Sequence, residues 1–280
     1  MASSIKIICK KGNKINEDYA FACEKFVYVI DGSSGLTNFN VTGYESDAKW
    51  FSQSLGNALN GRLSDTKKSI LEIITEVIRI LHSQYTAYST DAPIKEEDLP
   101  SACLSIFRMN KNKLEYFQLG DCVSLVKFKS GETKILFDNS VPILDTKVIS
   151  HIKIESKRQN KPIIDVLSFG KEMLIENRKK KNTESGYWIL DITGSGIIHA
   201  ELNAFNICDI GQFAIMSDGF AEIVDLYHVY THDTLMQAMA EKSLEALCKE
   251  LWLAQDSDPL MIKFPRLKHR DDASAVWCEI

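Results

Sequence analysis

The chain contains the stretch Phe26-Val27-Tyr28-Val29-Ile30-Asp31-Gly32, in which an apolar run ends abruptly in an aspartate and a glycine. Branched and aromatic residues favour a β-strand. An Asp-Gly dipeptide is typical of a sharp turn. The stretch therefore predicts a strand that ends in a carboxylate.

Acidic residues stand beside apolar runs at four further places: Glu17-Asp18 before 19–23, Asp121 after 114–119, Asp218 after 213–216, and Asp271-Asp272 before 274–278. Any one of them is more simply interpreted as a polar turn residue. Five such ends on rigid sheets would bring carboxylates together, and oxygen ligands without Cys or His suit Mg²⁺ or Mn²⁺ rather than zinc. The pattern alone leaves the turn and metal-site interpretations about equally open.

The flanking sequence mixes strand patterns with amphipathic helices. A meander of strands is predicted over 101–109, 113–119, 122–128 and 133–137, and helices over about 48–59, 70–81 and 231–253. The segment 139–185 interrupts this rhythm and is interpreted as an insertion, with a helix from about Pro162 to about Lys180. With no internal repeat or long linker, the pattern predicts one α+β domain over 1–280, with helices covering sheets.

Composition limits the possible classes of protein. The 280 residues are 45% hydrophobic and 25% charged with a net charge of −5, which excludes collagen-like and wholly disordered chains and disfavours nucleic-acid binding through overall charge. No window approaches the roughly 18 apolar residues that a membrane span needs. The seven cysteines include no Cys-x-x-Cys pair, which is typical of reduced thiols and not of structural zinc. We expect a cytoplasmic protein.

Five short motifs follow one another in the order found in a known family. They are Asn16-Glu17-Asp18, Val29-Ile30-Asp31-Gly32-Ser33-Ser34-Gly35, Leu119-Gly120-Asp121, Ile215-Met216-Ser217-Asp218-Gly219-Phe220 and Asp271-Asp272-Ala273-Ser274. Together they resemble the motifs of the metal-dependent type 2C Ser/Thr protein phosphatases, over essentially the whole chain. The resemblance implies a four-layer α–β–β–α sandwich, in which two antiparallel sheets are flanked by helices and a two-metal centre lies in the cleft at one end.

The resemblance also implies a set of metal ligands. Asp31 would bridge two Mn²⁺ or Mg²⁺ ions, and the Gly32 carbonyl would bind one of them. Asp218 and Asp271 would hold the second ion, with Glu17 contacting it through water. Asp31, Asp218 and Asp271 are thus the implied catalytic residues.

Three more acidic residues complete the implied centre. Asp121 would support a third, weaker ion, Asp18 would orient the groups around the ions, and Asp272 stands where the family usually has Asn. Two ions that share a carboxylate make a bridging water acidic enough to attack as hydroxide, and they neutralise phosphoryl oxygens in the transition state. The implied substrate is a protein carrying phosphoserine or phosphothreonine.

Two departures from the family pattern concern catalysis and phosphate binding. Many members have a histidine, a proposed general acid, where this chain has Ser33; losing it lowers rates by about 10²–10⁴-fold for poor leaving groups. An arginine commonly stands where this chain has Asn13. The adjacent Lys14 is either a substitute point charge for phosphate or a solvated surface lysine. Ser33, Ser34 and Ser217 are interpreted as turn residues and not as nucleophiles.

Three other features have competing interpretations. The basic run Arg178–Lys181 either belongs to a flap that attracts phosphorylated substrates or is a solvated helix end, the latter being favoured. His228 and His232 lie one helical turn apart but without a third ligand, so they are interpreted as ordinary polar residues. Trp188 is expected to serve in packing rather than as a substrate platform.

Two functions follow from the sequence. The first is an active phosphatase that hydrolyses phosphoserine or phosphothreonine with Mn²⁺ or Mg²⁺. The alternative is a catalytically weak pseudo-phosphatase that acts as a regulatory binding module, which Ser33 and Asn13 suggest. The intact carboxylates Asp31, Asp218 and Asp271 favour the enzyme.

Overall fold

The computed structural model describes residues 3–12, 14–33, 36, 39–88 and 94–280, and these form two antiparallel sheets. Numbered in chain order, the strands of sheet A lie in the spatial order β1 (Ser4–Lys10), β11 (Ala273–Glu279), β10 (Ile210–Met216), β6 (Val123–Phe128) and β7 (Thr133–Leu136). Those of sheet B are β2 (Tyr19–Ala22), β3 (Phe26–Ser33), β4 (Ser101–Asn110), β5 (Lys113–Leu119) and β9 (Glu201–Asn206), with β8 (Leu190–Asp191) also paired to β4. Asn13 and Ser34 lie outside the described residues.

The described helices are α1 (Asp47–Asn60), α2 (Ile70–Ala87), α3 (Ser140–Gln159), α4 (Lys171–Arg178), α5 (Asp218–Asp225), α6 (His232–Glu241) and α7 (Leu244–Asp256). Short 3₁₀ segments occupy Glu96–Asp98, Ile163–Gly170, Ser195–His199 and Ile207–Asp209. Helices α1 and α2 pack on sheet B, and helices α5 to α7 pack on sheet A.

The space between the two sheets is filled by apolar side chains from both. Val29 and Phe107 of sheet B meet Phe213 and Val276 of sheet A, and the rings of Phe107 and Phe213 lie 4.9 Å apart in an edge-to-face arrangement. Successive residues of β3 point to opposite faces, so Tyr28 faces α1 while Val29 faces the other sheet. The four layers confirm the α–β–β–α sandwich.

The segment 139–185 is more helical than its sequence indicates. Despite Pro142, helix α3 runs from Ser140 to Gln159. Pro142 lies in the first turn, where its missing N–H has no intrahelical acceptor to lose. The helix predicted from Pro162 to Lys180 is wrong in its first half, because Ile163–Gly170 is a 3₁₀ segment that precedes α4. These elements share a small apolar cluster with Met261 and Leu267.

Local capping corrects one further helix prediction and explains the start of another helix. The single helix predicted over 231–253 is two helices, because Lys242 is extended and the Ser243 hydroxyl caps α7 by accepting from Ala246 N. Helix α2 begins at Ile70, as predicted, and Ser69 is its N-cap. Ser69 forms a capping box with Glu72 that satisfies backbone donors reciprocally.

Candidate metal centre

Strand pairing brings the acidic motifs to one end of the sandwich. Met216 of β10 pairs with Ala275 of β11, so Asp218 and Asp271, just beyond these residues, lie at the same edge of sheet A. In sheet B, Tyr19 of β2 pairs with Ile30 of β3, which places Asp18 beside the end of β3. The edges of the two sheets face each other there.

Asp31 and Asp218 are close enough for their carboxyl groups to share a hydrogen bond. Burial raises the pKa of Asp31 well above its usual range, and the charges of Asp218, Asp18 and Asp121 raise it further. Asp218 is itself exposed to solvent, but so much protein surrounds it that desolvation is the largest cause of its raised pKa, followed by the charge of Asp271. The fold therefore assembles carboxylates that repel one another without a cation.

Asp121 extends this group along sheet B. Cys103, which pairs with Asp31 in the register of β3 and β4, donates its thiol hydrogen to Asp121 Oδ1 at 2.9 Å. Burial raises the pKa of Asp121 to about 7, and the charge of Asp218 adds to this effect. The position predicted for a third ion thus lies in the same electrostatic field as Asp31 and Asp218.

Asp272 holds the surrounding backbone, and the Asp18 side chain is buried nearby. The Asp272 carboxylate accepts from the backbone N–H groups of Gly12 and Glu17, at 2.9 and 2.8 Å. Asp18 Oδ2 is buried and has no hydrogen-bond partner in the described structure, and burial raises the pKa of Asp18 well above its usual range. An orphaned buried carboxylate oxygen calls for a water or cation beside it.

Glycines allow the chain segments of the site to approach closely. A Cβ on Gly32 would lie 2.4 Å from the Glu17 carbonyl oxygen, and one on Gly219 would lie 2.1 Å from that of Asp272. The Glu17 side chain also accepts a hydrogen bond from the hydroxyl of Ser46, the N-cap of α1. The turn predicted at Asp31-Gly32 is wrong, because β3 continues through Gly32 to Ser33, and Gly219 lies within α5. Both glycines are instead explained by this close packing.

Lys268 is a member of the site that the sequence analysis missed. Its Nζ lies 2.8 and 2.7 Å from the two carboxylate oxygens of Asp271, and Asp218 and Asp31 also attract it. A lysine three residues before an acidic motif is a weak signal, because such spacing is common on surfaces. Only the fold shows that this lysine turns toward the carboxylates.

Two missed carboxyl groups flank the centre. Burial raises the pKa of Asp145, on α3, to about 6, with Asp218 adding to the rise and Lys268 opposing it. Burial likewise raises the pKa of Glu222, on α5, to about 7; Gln255 Nε2 donates to it at 2.9 Å. Neither residue belongs to a short motif, so no sequence signal pointed to them.

The basic run 178–181 is not a uniform solvated helix end. Arg178 is half-buried and donates to Ser33 Oγ at 2.8 Å, Lys179 is exposed beside Glu176, and Lys181 is buried. The preferred interpretation of this run is therefore wrong for two of its residues. Lys14, by contrast, is exposed, and its role in phosphate binding stays a prediction.

The remaining candidates lie in ordinary packing positions. Trp188 stacks on His199 with ring centroids 3.4 Å apart and packs against the core under sheet B, as predicted. His228 Nδ1 contacts the Val224 carbonyl at 2.8 Å. His232 Nε2 lies 3.7 Å from Asp225.

The carboxylate oxygens of the site are ligands that suit divalent cations, but they are not yet arranged as a coordination sphere. Among the described residues, no group of three or more Asp, Glu, His or Cys side chains is arranged to hold a single ion. The shared hydrogen bond of Asp31 with Asp218, the raised pKa values and the orphaned oxygen of Asp18 are the features that a hard cation would relieve.

Comparison with known proteins identifies the family of the chain. Residues 10–254 match the family model described as Protein phosphatase 2C, and the chain belongs to that family. No curated protein sequence matches it significantly. No helix in the described parts of the chain is long and apolar enough to span a bilayer.

Solved structures of bacterial phosphatases share the fold. The serine/threonine phosphatase PstP of Mycobacterium tuberculosis is 13% identical with a TM-score of 0.55, and the match covers 99% of this chain and 98% of that one. A PstP catalytic domain in complex with two manganese ions is 15% identical with a TM-score of 0.55, covering 99% and 97%. Stp1 of Staphylococcus aureus is 12% identical with a TM-score of 0.54, covering 100% and 95%.

Proposed function

We propose that the protein is a metal-dependent phosphoprotein phosphatase that hydrolyses phosphoserine and phosphothreonine. The observation that carries the proposal is the meeting of Asp31 and Asp218, from different sheets, within hydrogen-bond reach of each other. Buried carboxylates that repel one another do not by themselves stabilise a fold. A binding module alone has no chemical need for the whole carboxylate set.

The roles proposed for the residues are those that the resemblance to the family implies. Asp31 would bridge two Mn²⁺ or Mg²⁺ ions with the Gly32 carbonyl beside it, and Asp218 and Asp271 would hold the second ion. When bound, the ions would supply an activated water and neutralise the phosphoryl oxygens.

The remaining acidic residues would hold or extend this centre. Glu17 would contact the second ion through water, and its backbone is fixed by Asp272. Asp18 would orient the surroundings, and Asp121 would support a third ion. A cytoplasmic location stays a prediction from the sequence.

Hydrolysis of p-nitrophenyl phosphate and of a phosphothreonine peptide, with and without Mn²⁺, tests the proposal. The wild type should be active only with the metal, and Asp31→Asn and Asp218→Asn should each lower kcat by at least about 10³-fold. Asp209→Asn, at an exposed acidic residue of the segment before β10, is the matched control. A wild type no faster than the two variants would contradict the proposal.

One observation favours the pseudo-phosphatase as a second candidate. Lys268 already binds both oxygens of Asp271, a position that the second ion would need. If Mn²⁺ binds to the protein in calorimetry yet produces no hydrolysis of either substrate, the binding module is the better description. Metal-dependent turnover would exclude it.

A further inference from the structure

Arg178, the last residue of α4, reaches the end of sheet B where the carboxylates gather. Its Nη2 donates to Ser33 Oγ at 2.8 Å and its Nη1 to Ser101 Oγ at 3.3 Å. Ser33 pairs with Ser101 in the register of β3 and β4 and comes two residues after Asp31. The guanidinium therefore spans two strand ends beside the candidate metal centre.

The chain that follows α4 is fixed to the same edge of the sheet. Lys181 is buried and lies 3.6 Å from Asp191, a residue of β8 that pairs with Ser101. Asn182 donates its side-chain amide to the same Asp191 carboxylate at 3.0 Å. These contacts hold the end of α4 against sheet B, so Arg178 is carried by a well-anchored segment.

The electrostatic surroundings of Arg178 overlap with those of the carboxylates. Asp145 experiences both the charge of Asp218 and the opposing charge of Arg178. Two of the N–H groups of Arg178 donate to the hydroxyl oxygens of Ser33 and Ser101, and these contacts orient the guanidinium. An oriented guanidinium at the rim of an acidic centre is suited to an anion that also binds the centre's cations.

We propose that Arg178 binds the phosphoryl group of the substrate, so that α4 supplies the phosphate-binding residue of this site. The proposal rests on the proposed function for the identity of the substrate. The planar guanidinium donates two parallel N–H groups to two phosphoryl oxygens, which a lysine at the same place does not do. Ser33 and Ser101 act as positioning residues for the guanidinium.

Binding of inorganic phosphate to the Mg²⁺-loaded protein, measured by calorimetry, tests the proposal without requiring turnover. Arg178→Ala should weaken phosphate binding by about 10- to 100-fold, the range of a lost charge-assisted pair. Arg178→Lys, which keeps the charge but loses the fork, should be intermediate. Lys179→Ala removes the same charge from the exposed neighbouring residue and should change binding by less than about twofold.

Steady-state kinetics and thermal unfolding distinguish phosphate binding by Arg178 from a purely structural role of this residue. With p-nitrophenyl phosphate, KM should rise in step with the phosphate dissociation constant, while the thermal midpoint of Arg178→Lys stays within a few degrees of the wild type. If Arg178→Ala and Arg178→Lys bind phosphate as tightly as Lys179→Ala, the proposal is overturned, as it is if the wild type binds no phosphate. Phosphate binding that depends on Arg178 in a protein without hydrolytic activity would sink the proposed function and leave the assignment of Arg178 standing.

Discussion

The two sheets contribute carboxylates of different character to the same site. On the side of sheet B, burial and the neighbouring carboxylates all raise the pKa of Asp31. On the side of sheet A, Lys268 contacts both oxygens of Asp271 and also attracts Asp218. One half of the centre thus needs a proton or an added cation, while the other half carries a cation of its own. The half on sheet B therefore gains more from an added cation than the half on sheet A.

The largest expected effect compares the loss of one carboxylate from each half. Asp31→Asn should weaken Mn²⁺ binding beyond the roughly 10–100-fold typical of changes around metal ligands, because Asp31 is the proposed bridge. Asp271→Asn should weaken it by about 10-fold or less, because Asp271 is already occupied by Lys268. Calorimetric titration with Mn²⁺ measures both, with Asp209→Asn as the control. Equal losses would show that the two halves are equivalent.

The next effect concerns Glu222. Its pKa is sensitive to the negative charge of Asp218 and Asp271 that Lys268 does not neutralise. Its pKa in the folded, metal-free protein is raised to about 7 by burial and then by Asp218 and Asp271. A carboxyl whose pKa is higher in the folded state stabilises folding fully below its unfolded pKa and loses that contribution as pH rises through 7. Glu222→Gln should therefore raise the free energy of unfolding by about 1–3 kcal/mol at pH 8 and change it little at pH 4 to 5.

Urea unfolding of the metal-free protein at the two pH values measures this difference. Glu245→Gln, at an exposed glutamate in the first turn of α7, is the control and should show no comparable pH dependence. A gain from Glu222→Gln that is equal at both pH values would mean that packing rather than ionisation is responsible.

The sequence predicts those parts of the fold that depend on interactions between residues close together in the chain. Strands such as β3 were predicted well because branched and aromatic runs such as Phe26–Ile30 are apolar and clearly bounded in the sequence. The split between α6 and α7 was missed because one serine cap at Ser243 outweighs an apolar stripe that continues across it. The real extent of α3 was hidden by Pro142, which the first helical turn tolerates.

The residues of the candidate metal centre were also predictable only where a local sequence pattern marks them. Strand-end carboxylates such as Asp31 and Asp218 could be found from the sequence because each belongs to a local pattern, and the structure brings these two together. Lys268, Asp145 and Arg178 reach the same place through the fold alone. Their side chains carry no spacing that distinguishes them from surface residues, so only coordinates reveal them.

Removing the Lys268 ammonium tests whether it limits metal binding at Asp271 on the side of sheet A. Lys268→Met should raise Mn²⁺ affinity by about 3- to 10-fold, because the ion no longer competes with the ammonium for Asp271. The same change should lower the thermal midpoint of the metal-free protein by no more than about 2–4 °C, since the side chain of Lys268 is half-exposed and such pairs contribute little. Lys249→Met, at an exposed lysine of α7, is the matched control. Unchanged affinity would mean that Lys268 moves away from the ion without penalty.

The smallest expected effect concerns leaving-group chemistry at Ser33, on the half of the centre that belongs to sheet B. Ser33→His should speed hydrolysis of alkyl phosphates more than aryl phosphates, because only poor leaving groups need a proton from a general acid. The gain should stay below about 10-fold, far from the 10²–10⁴-fold of an optimised general acid. Arg178, 2.8 Å from Ser33 Oγ, disfavours a positively charged imidazole at that position. Ser33→Ala is the control, because it removes the hydroxyl without adding an imidazole ring. Equal effects of Ser33→His on alkyl and aryl phosphates would show that the imidazole donates no proton.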